Sequence, residues 1–322
     1  MVDVERLRIV FFGTPDFSET TLEALLHSRH QVVGVVTRAD RPKGRGQRTN
    51  EPPVKTRAVA AGLPVLQPER LTDAGFLDAF DRLEADLGVV AAYGKILTDR
   101  VLAGPRLGLI NVHASLLPRY RGAAPVHRAV INGEVETGVT IMRMVKALDA
   151  GPMLATVSRP IGPEDTSEDV ERDLARAGAA LLVSTLDAIA TGPVAGTPQD
   201  DAAATYAPRM TRADGITDWT RPADRIHDLI RGLHPWPHAF TFHRGRRLIL
   251  LRSTLPEEGS GDPISASPGT ILEAHGDRLH IATGRGVLAV TEIQAEGKRP
   301  MTPREFLAGH RLTAGELVTT HP

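Results

Sequence analysis

The chain has 322 residues, enough for about two domains at the usual 100–200 residues each. Hydrophobic residues make up 41% and charged residues 24%, a globular mixture rather than a disordered one, and a net charge of −1 makes the whole chain neither polyanion nor polycation. Cysteine is absent, which excludes disulfides, thiolate nucleophiles and Cys-ligated zinc or iron–sulfur centres; no unbroken apolar run reaches the roughly 18 residues of a membrane span, and the N-terminus lacks the apolar core of a secretory signal, so a soluble cytoplasmic protein is expected.

Residues 7–12 are an apolar run that stops at Gly13 and predict a first strand. Thr14 can cap a following helix, Pro15 suits its first position, and Asp16 complements its positive end. Phe17, Thr21, Ala24 and Leu25 then recur at helical spacing. The Val-rich residues 31–37 predict a second strand. Residues 37–50 are basic, contain glycine and lack an apolar stripe, which predicts a flexible loop. Its cations Arg41, Lys43, Arg45 and Arg48 suit either contact with phosphate or nucleic acid, or a solvated run of charge. Residues 86–92, 107–112 and 138–144 predict three more strands, separated by helical stretches. Thr166 and Asp169 mark a helix start, with Val170, Leu174, Ala177 and Leu181 as its buried stripe. Strands alternating with helices imply a mostly parallel sheet covered on both faces, with ligands beyond the carboxyl ends of its strands. The first turn reads Gly13-Thr-Pro-Asp-Phe17 rather than G-x-G-x-x-G, which weakens a dinucleotide reading.

Residues 190–207 are rich in Gly, Pro and Ala and read as a linker between domains at 1–189 and 208–322. The second domain opens with an amphipathic helix carrying Ile226, Leu229, Ile230 and Leu233 on one face. Strand-like runs at 239–243, 247–252, 270–274, 278–283 and 287–293 predict a small barrel or sandwich, an OB-type barrel being one candidate. Trp219 and Trp236 flank the helix and read as packing residues rather than base-stacking ones.

The most informative segment is Asn111-Val-His-Ala-Ser-Leu-Leu-Pro-Arg-Tyr-Arg-Gly-Ala-Ala-Pro125, which leaves a predicted strand at its carboxyl end. Side chains alternate along a strand, so Asn111 and His113 share a face. One offers an amide donor for a developing oxyanion, the other an imidazole able to exchange a proton near neutral pH. Asp149 closes a second segment, Gly138-Val-Thr-Ile-Met-Arg-Met-Val-Lys-Ala-Leu-Asp-Ala-Gly151, and a carboxylate near His113 would orient the ring. All three residues also admit a plain reading as turn hydrogen-bonding groups.

These segments, with Arg8-Ile-Val-Phe-Phe-Gly-Thr-Pro-Asp-Phe17, Asp40-Arg-Pro-Lys-Gly-Arg-Gly46, Thr205-Tyr-Ala-Pro-Arg-Met210, Ile216-Thr-Asp-Trp219 and Pro235-Trp-Pro237, make the chain resemble the methionyl-tRNA formyltransferase family over nearly its whole length. The resemblance implies transfer of the formyl group of 10-formyltetrahydrofolate to the free amine of methionyl initiator tRNA, in translation initiation. It implies a Rossmann-like catalytic domain of α/β class and a C-terminal OB-like β-barrel that binds tRNA. By match to the family motif, Asn111, His113 and Asp149 are catalytic and Ser115, Leu116, Leu117 and Pro118 bind folate. The basic loop then enters the acceptor arm, with Arg45 as its key cation beside Arg41, Lys43 and Arg48. Arg209 stands where the family more often has lysine and would contact the tRNA backbone, a swap that a phosphate contact tolerates. No metal is implied, and a monomer is expected. The alternatives left open are a formyltransferase with a sugar nucleotide or glycinamide ribonucleotide as acceptor, a 10-formyltetrahydrofolate hydrolase, and a non-catalytic RNA-binding protein.

Overall fold

The computed structural model describes residues 6–43, 48–256 and 265–322. They divide into two compact units, one drawn from Met1–Pro125, Glu136–Arg159 and Glu171–Ala207, the other from Val126–Val135, Pro160–Val170 and Pro208–Pro322. The two mid-chain pieces of the second unit are held there by side chains. Arg128 Nη2 pairs with Asp214 Oδ1 at 2.8 Å, Arg225 Nη1 donates to the Asn132 carbonyl at 2.6 Å, and His227 Nε2 donates to the Pro163 carbonyl at 3.0 Å. Composition along the chain carries no trace of such exchanges.

In chain order the elements up to residue 207 are β1 (Arg8–Gly13), α1 (Asp16–Leu26), β2 (Gln31–Val36), β3 (Arg41–Lys43), β4 (Arg48–Asn50), α2 (Pro53–Ala60), β5 (Val65–Leu66), α3 (Ala74–Asp81), β6 (Leu87–Ala91), α4 (Asp99–Leu102), β7 (Leu109–His113), β8 (Arg121–Gly122), α5 (Pro125–Ile131), β9 (Glu136–Arg143), β10 (Met153–Pro160), α6 (Ser167–Thr191) and β11 (Tyr206–Ala207). The main sheet has the order β10-β9-β7-β6-β1-β2-β5. It is parallel from β7 through β5, and β9 lies antiparallel to β7. The parallel strands β1, β6 and β7 are near-continuous apolar runs and are buried almost throughout, as strands covered on both faces must be. Below β1 and β6, Phe12 meets Phe80 of α3 and Tyr93 edge-on, with ring centroids 5.9 and 5.6 Å apart. Each such pair adds about 0.5–1.5 kcal/mol beyond the area it buries.

Helix α1 is capped at Pro15, and the Thr14 hydroxyl instead donates to the Tyr93 carbonyl at 3.3 Å. Strand β10 escapes periodicity because its alternation of half-buried and exposed positions is weakly apolar. In α6 the start at Thr166 and Asp169 holds, the Asp169 carboxylate accepting from both the main chain and the hydroxyl of Thr166. Its buried stripe runs Val170, Leu174, Leu182 and Leu186, while Ala177 and Leu181 sit half-buried at its margin. Helix α6 is long and apolar enough to cross a membrane by composition, but its apolar side meets the sheet: a Cβ at Gly178 would lie 3.1–3.2 Å from Val139 and Val112 side chains. The basic segment is not all loop, since Arg41–Lys43 and Arg48–Asn50 pair antiparallel as β3 and β4. The stretch 190–207 is not a free tether. Thr197 and Met153 exchange two main-chain hydrogen bonds of 2.8 Å, and β11 pairs with β8.

The second unit adds α7 (Ala223–Gly232), β12 (Ala239–His243), β13 (Arg246–Thr254), β14 (Ile271–His275), β15 (Arg278–Ala282), β16 (Val287–Ala295) and α8 (Pro303–Gly309). Its sheet is antiparallel in the order β12-β13-β16-β15-β14. The C-terminal chain joins the two edges. Thr319 exchanges main-chain hydrogen bonds with Phe242 of β12 at 2.8 and 2.9 Å, and Gly315 and Glu316 bond Ile271 of β14 at 2.8 Å each. Closure of both edges decides between the open alternatives in favour of an OB-like barrel. Trp219 packs as expected, 3% exposed with Nε1 donating to Thr241 Oγ1 at 2.9 Å. Trp236 does not: it is 50% exposed, on the turn between α7 and β12 that His238 closes onto Leu233.

Glu316 latches this closure. Its carboxylate accepts from the Thr313 main chain at 3.2 Å and from His243 Nε2 at 3.0 Å, and it pairs with Arg244. The Thr313 N–H, with His243 and Arg244, holds the carboxyl below its ordinary range against the opposing effect of desolvation. A carboxyl depressed by folding stabilises above its unfolded value, about 4.3, and loses that contribution as pH falls through the folded one. Glu316→Gln is therefore expected to melt below the wild type at pH 7, with the gap closing toward pH 3. Parallel melts across that range check it, and a gap independent of pH would contradict the latch.

Candidate active site

Strand β7 places Asn111 and His113 on one face of the sheet and Val112 on the other, where it lies under Gly178 of α6. Both polar residues are buried, Asn111 being 9% and His113 6% exposed. They are paired across the ladder with Met142 and Thr140 of β9. His113 Nε2 is 3.0 Å from the Tyr120 carbonyl. A carbonyl only accepts, so Nε2 carries a hydrogen and Nδ1 is the nitrogen left to take a proton. Nδ1 faces Asp149 Oδ2 at 3.8 Å, an ion-pair distance rather than a hydrogen bond. The same carboxylate oxygen accepts the Gly122 N–H at 2.8 Å.

Asp149 does not leave the carboxyl end of a parallel strand. Strand β9 runs against β7, with Arg143 level with Ile110, so the chain must fold back over residues 144–149 to bring the carboxylate to His113. The return is tight at Gly151, where a Cβ would lie 1.8 Å from the Arg143 carbonyl oxygen. Gly122 has φ +119°, and a Cβ there would lie 2.8 Å from the Ala207 carbonyl oxygen. Glycine at both positions is thus a condition for the carboxylate's place.

Residues 115–118 follow directly, with a cis peptide between Leu117 and Pro118. Ser115 is fully buried and its hydroxyl donates to the Arg119 carbonyl at 2.6 Å, so this side chain braces the loop. Thr140 of β9 stitches the element to the sheet: its hydroxyl donates to the Ser115 carbonyl at 2.7 Å and accepts from the Leu117 N–H at 3.2 Å. Leu117 is buried, while Leu116 and Pro118 are partly accessible. Of the basic residues, Arg41, Lys43 and Arg48 lie on β3 and β4, and Arg45 falls outside the described residues. Arg209 is exposed and belongs to the second unit.

Sequence reasoning missed the residues behind the site. Arg121 is 4% exposed, with its guanidinium on Gln199 and Asp201. Gln199 reaches the main chain of Asp149. Arg121 was visible inside the motif, but Gln199 lies in a polar Gly/Pro/Ala stretch that offers no signal. Tyr93, beyond β6, is 2% exposed with no hydrogen-bond partner for its hydroxyl among the described residues, and burial pushes that hydroxyl up to about 12.

Comparison with known proteins gives this constellation a context. The formyl transferase family profile matches residues 7–186, and that of the formyl transferase C-terminal domain matches residues 209–311. A methionyl-tRNA formyltransferase of Heliobacterium modesticaldum is 48% identical over 313 residues, covering 96% of this chain and 99% of its own length. One of Moorella thermoacetica is 44% identical over 312 residues, covering 97% and 99%. Among solved structures, the N-formyltransferase of Helicobacter canadensis in complex with folinic acid and dTDP-3-aminofucose aligns with a TM-score of 0.67 at 18% identity, over 88% of this chain and 99% of that one. HypX of Aquifex aeolicus in complex with tetrahydrofolic acid aligns at 0.65 and 16%, over 97% and 51%. At such identity the last two share the fold alone. With both family profiles matched in tandem and near-half identity sustained from end to end, the chain belongs to the methionyl-tRNA formyltransferase family.

Proposed function

We infer that this chain transfers a formyl group from 10-formyltetrahydrofolate to the α-amine of methionyl initiator tRNA, with Asn111, His113 and Asp149 as the reacting-site residues. The observation that carries the assignment is the approach of His113 Nδ1 to Asp149 Oδ2, 3.8 Å, beside Asn111 on the same strand face. The amine nitrogen bonds to the formyl carbon, the bond from that carbon to the folate nitrogen breaks, the amine gives up a proton and the folate nitrogen gains one. The Asn111 amide donates to the formyl oxygen as negative charge builds there, a contact of about 3–4 kcal/mol in such sites. His113 Nδ1 takes the amine proton and delivers it to the departing nitrogen. Asp149 stabilises the positive charge that the ring carries in between.

The folate co-substrate fits groups of this chain at that end of the sheet. Ile96, on the segment after β6, is 90% exposed, and the Tyr93 hydroxyl, which has no partner among the described residues, lies three residues before it. Ser115, Leu116, Leu117 and Pro118 form the second wall of that site in our reading, Leu116 and Pro118 by their surfaces and Ser115 by holding the loop. Arg41, Lys43, Arg45 and Arg48 would grip the acceptor arm, and Arg209 a backbone phosphate. We take the catalytic domain to span 1–189 and the tRNA-binding domain 208–322, working as a cytoplasmic monomer. The test is transfer of labelled formyl from 10-formyltetrahydrofolate to initiator Met-tRNA, to a sugar amine and to water. Transfer to the tRNA at a rate at least tenfold above the other two is expected. Transfer to the sugar amine alone, or release of formate alone, would overturn the reading.

A further inference from the structure

We propose that Gln199, on the segment joining the two domains, is a positioning residue for Asp149 and governs the rate of formyl transfer rather than substrate affinity. The proposal rests on the site reading above. Asp149 is held in a left-handed conformation, φ +47°, at the end of a return whose residues Val145, Lys146, Ala147 and Leu148 are all exposed. Its main chain therefore needs an outside hold. Gln199 Nε2 supplies one by donating to the carbonyls of both Asp149 and Gly151, each at 2.8 Å, so a single amide group spans the turn.

That amide is itself fixed. Gln199 Oε1 accepts from Arg121 Nε at 3.0 Å and from Nη2 at 2.8 Å, and Arg121 Nη2 also reaches Asp201 Oδ1 at 2.7 Å. The guanidinium is buried, so its geometry is set by packing as well as by these bonds. On one side of Gln199, Thr197 is locked to Met153. On the other, the Thr205 carbonyl accepts the Arg121 N–H at 2.8 Å. Arg121 is followed by Gly122, whose N–H binds the Asp149 carboxylate. The same short strand thus holds the carboxylate directly and, through Gln199, the main chain that carries it. Misplacement of a reacting group by about 1 Å costs on the order of a hundredfold in rate.

The experiment compares Gln199→Glu and Gln199→Asn with the wild type in single-turnover and steady-state formyl transfer. Glutamate keeps an acceptor for Arg121 and loses both donors. Asparagine stays neutral and is one methylene too short to span the turn. Both are expected to lower kcat by about 10–100-fold, with KM for Met-tRNA and for the folate within about threefold and melting close to the wild type. A merely structural role would instead lower the melting midpoint and the number of active sites, at unchanged kcat per folded molecule. Unchanged kcat in both variants, a loss confined to the KM for tRNA, or a fall with glutamate alone (an effect of added charge) would each overturn the proposal. Asp149→Asn measured alongside separates the two levels. If it leaves kcat intact, the site reading fails and this inference with it; if it lowers kcat while the Gln199 variants do not, only this inference fails.

Discussion

His113→Ala is expected to lower kcat for formyl transfer by about a thousandfold, within the 10²–10⁴ range of a positioned acid–base group, while binding of Met-tRNA stays within about threefold. The ring is buried on β7, and its Nε2 hydrogen is committed to the Tyr120 carbonyl, so the variant removes the proton carrier and also one buried hydrogen bond. Loss of such a bond costs about 0.5–1.5 kcal/mol, which would appear as a lower melting point. His113→Gln divides these effects. Its amide can still donate to Tyr120, yet it cannot take a proton near neutral pH. Both variants losing rate alike while only alanine loses stability is the expected pattern. Full activity in His113→Gln would mean that the nitrogen facing Asp149 moves no proton.

Asn111→Ala is expected to cost about 10²–10³ in kcat with little change in KM for either substrate, the signature of a donor used chiefly in the transition state. Its backbone is held in the ladder between Val90 and Met142, so truncation of the side chain leaves β7 in register. Rapid-quench measurement of a single turnover reads the chemical step directly. A fall of less than about threefold would show that another group carries the charge on the formyl oxygen. Asn111→Asp offers the sharper comparison, because a carboxylate of nearly equal size would oppose that charge.

Much of the fold is legible in the amino-acid sequence. The apolar runs at 7–12, 31–37, 86–92 and 107–112 become β1, β2, β6 and β7 with shifts of a residue or two at their ends. The five short runs after residue 238 all become strands of the barrel. Apolar period and turn residues are local properties, so each such element declares itself. Strand β10 did not, because it lacks an apolar run, and Trp236 misled because a tryptophan's burial depends on which element lies opposite. In the site, Asn111 and His113 share a face by the alternation of a single strand, a relation of two residues that the sequence contains in full.

Asp149 is different in kind. Its 36-residue separation from His113 says nothing of distance, and the strand before it runs the opposite way to the one expected. Only the antiparallel placement of β9, the tight return at Gly151 and the grip of Gln199 bring it within 3.8 Å of the ring. The amino-acid order by itself determined the strands, the helices and the paired amide and imidazole, since these follow from neighbours along the chain. The tertiary structure decided how Asp149, which the family motif names, is brought to them, how the barrel closes on its C-terminal residues and what the connecting segment touches, because hydrogen bonds between distant segments leave no local pattern to read.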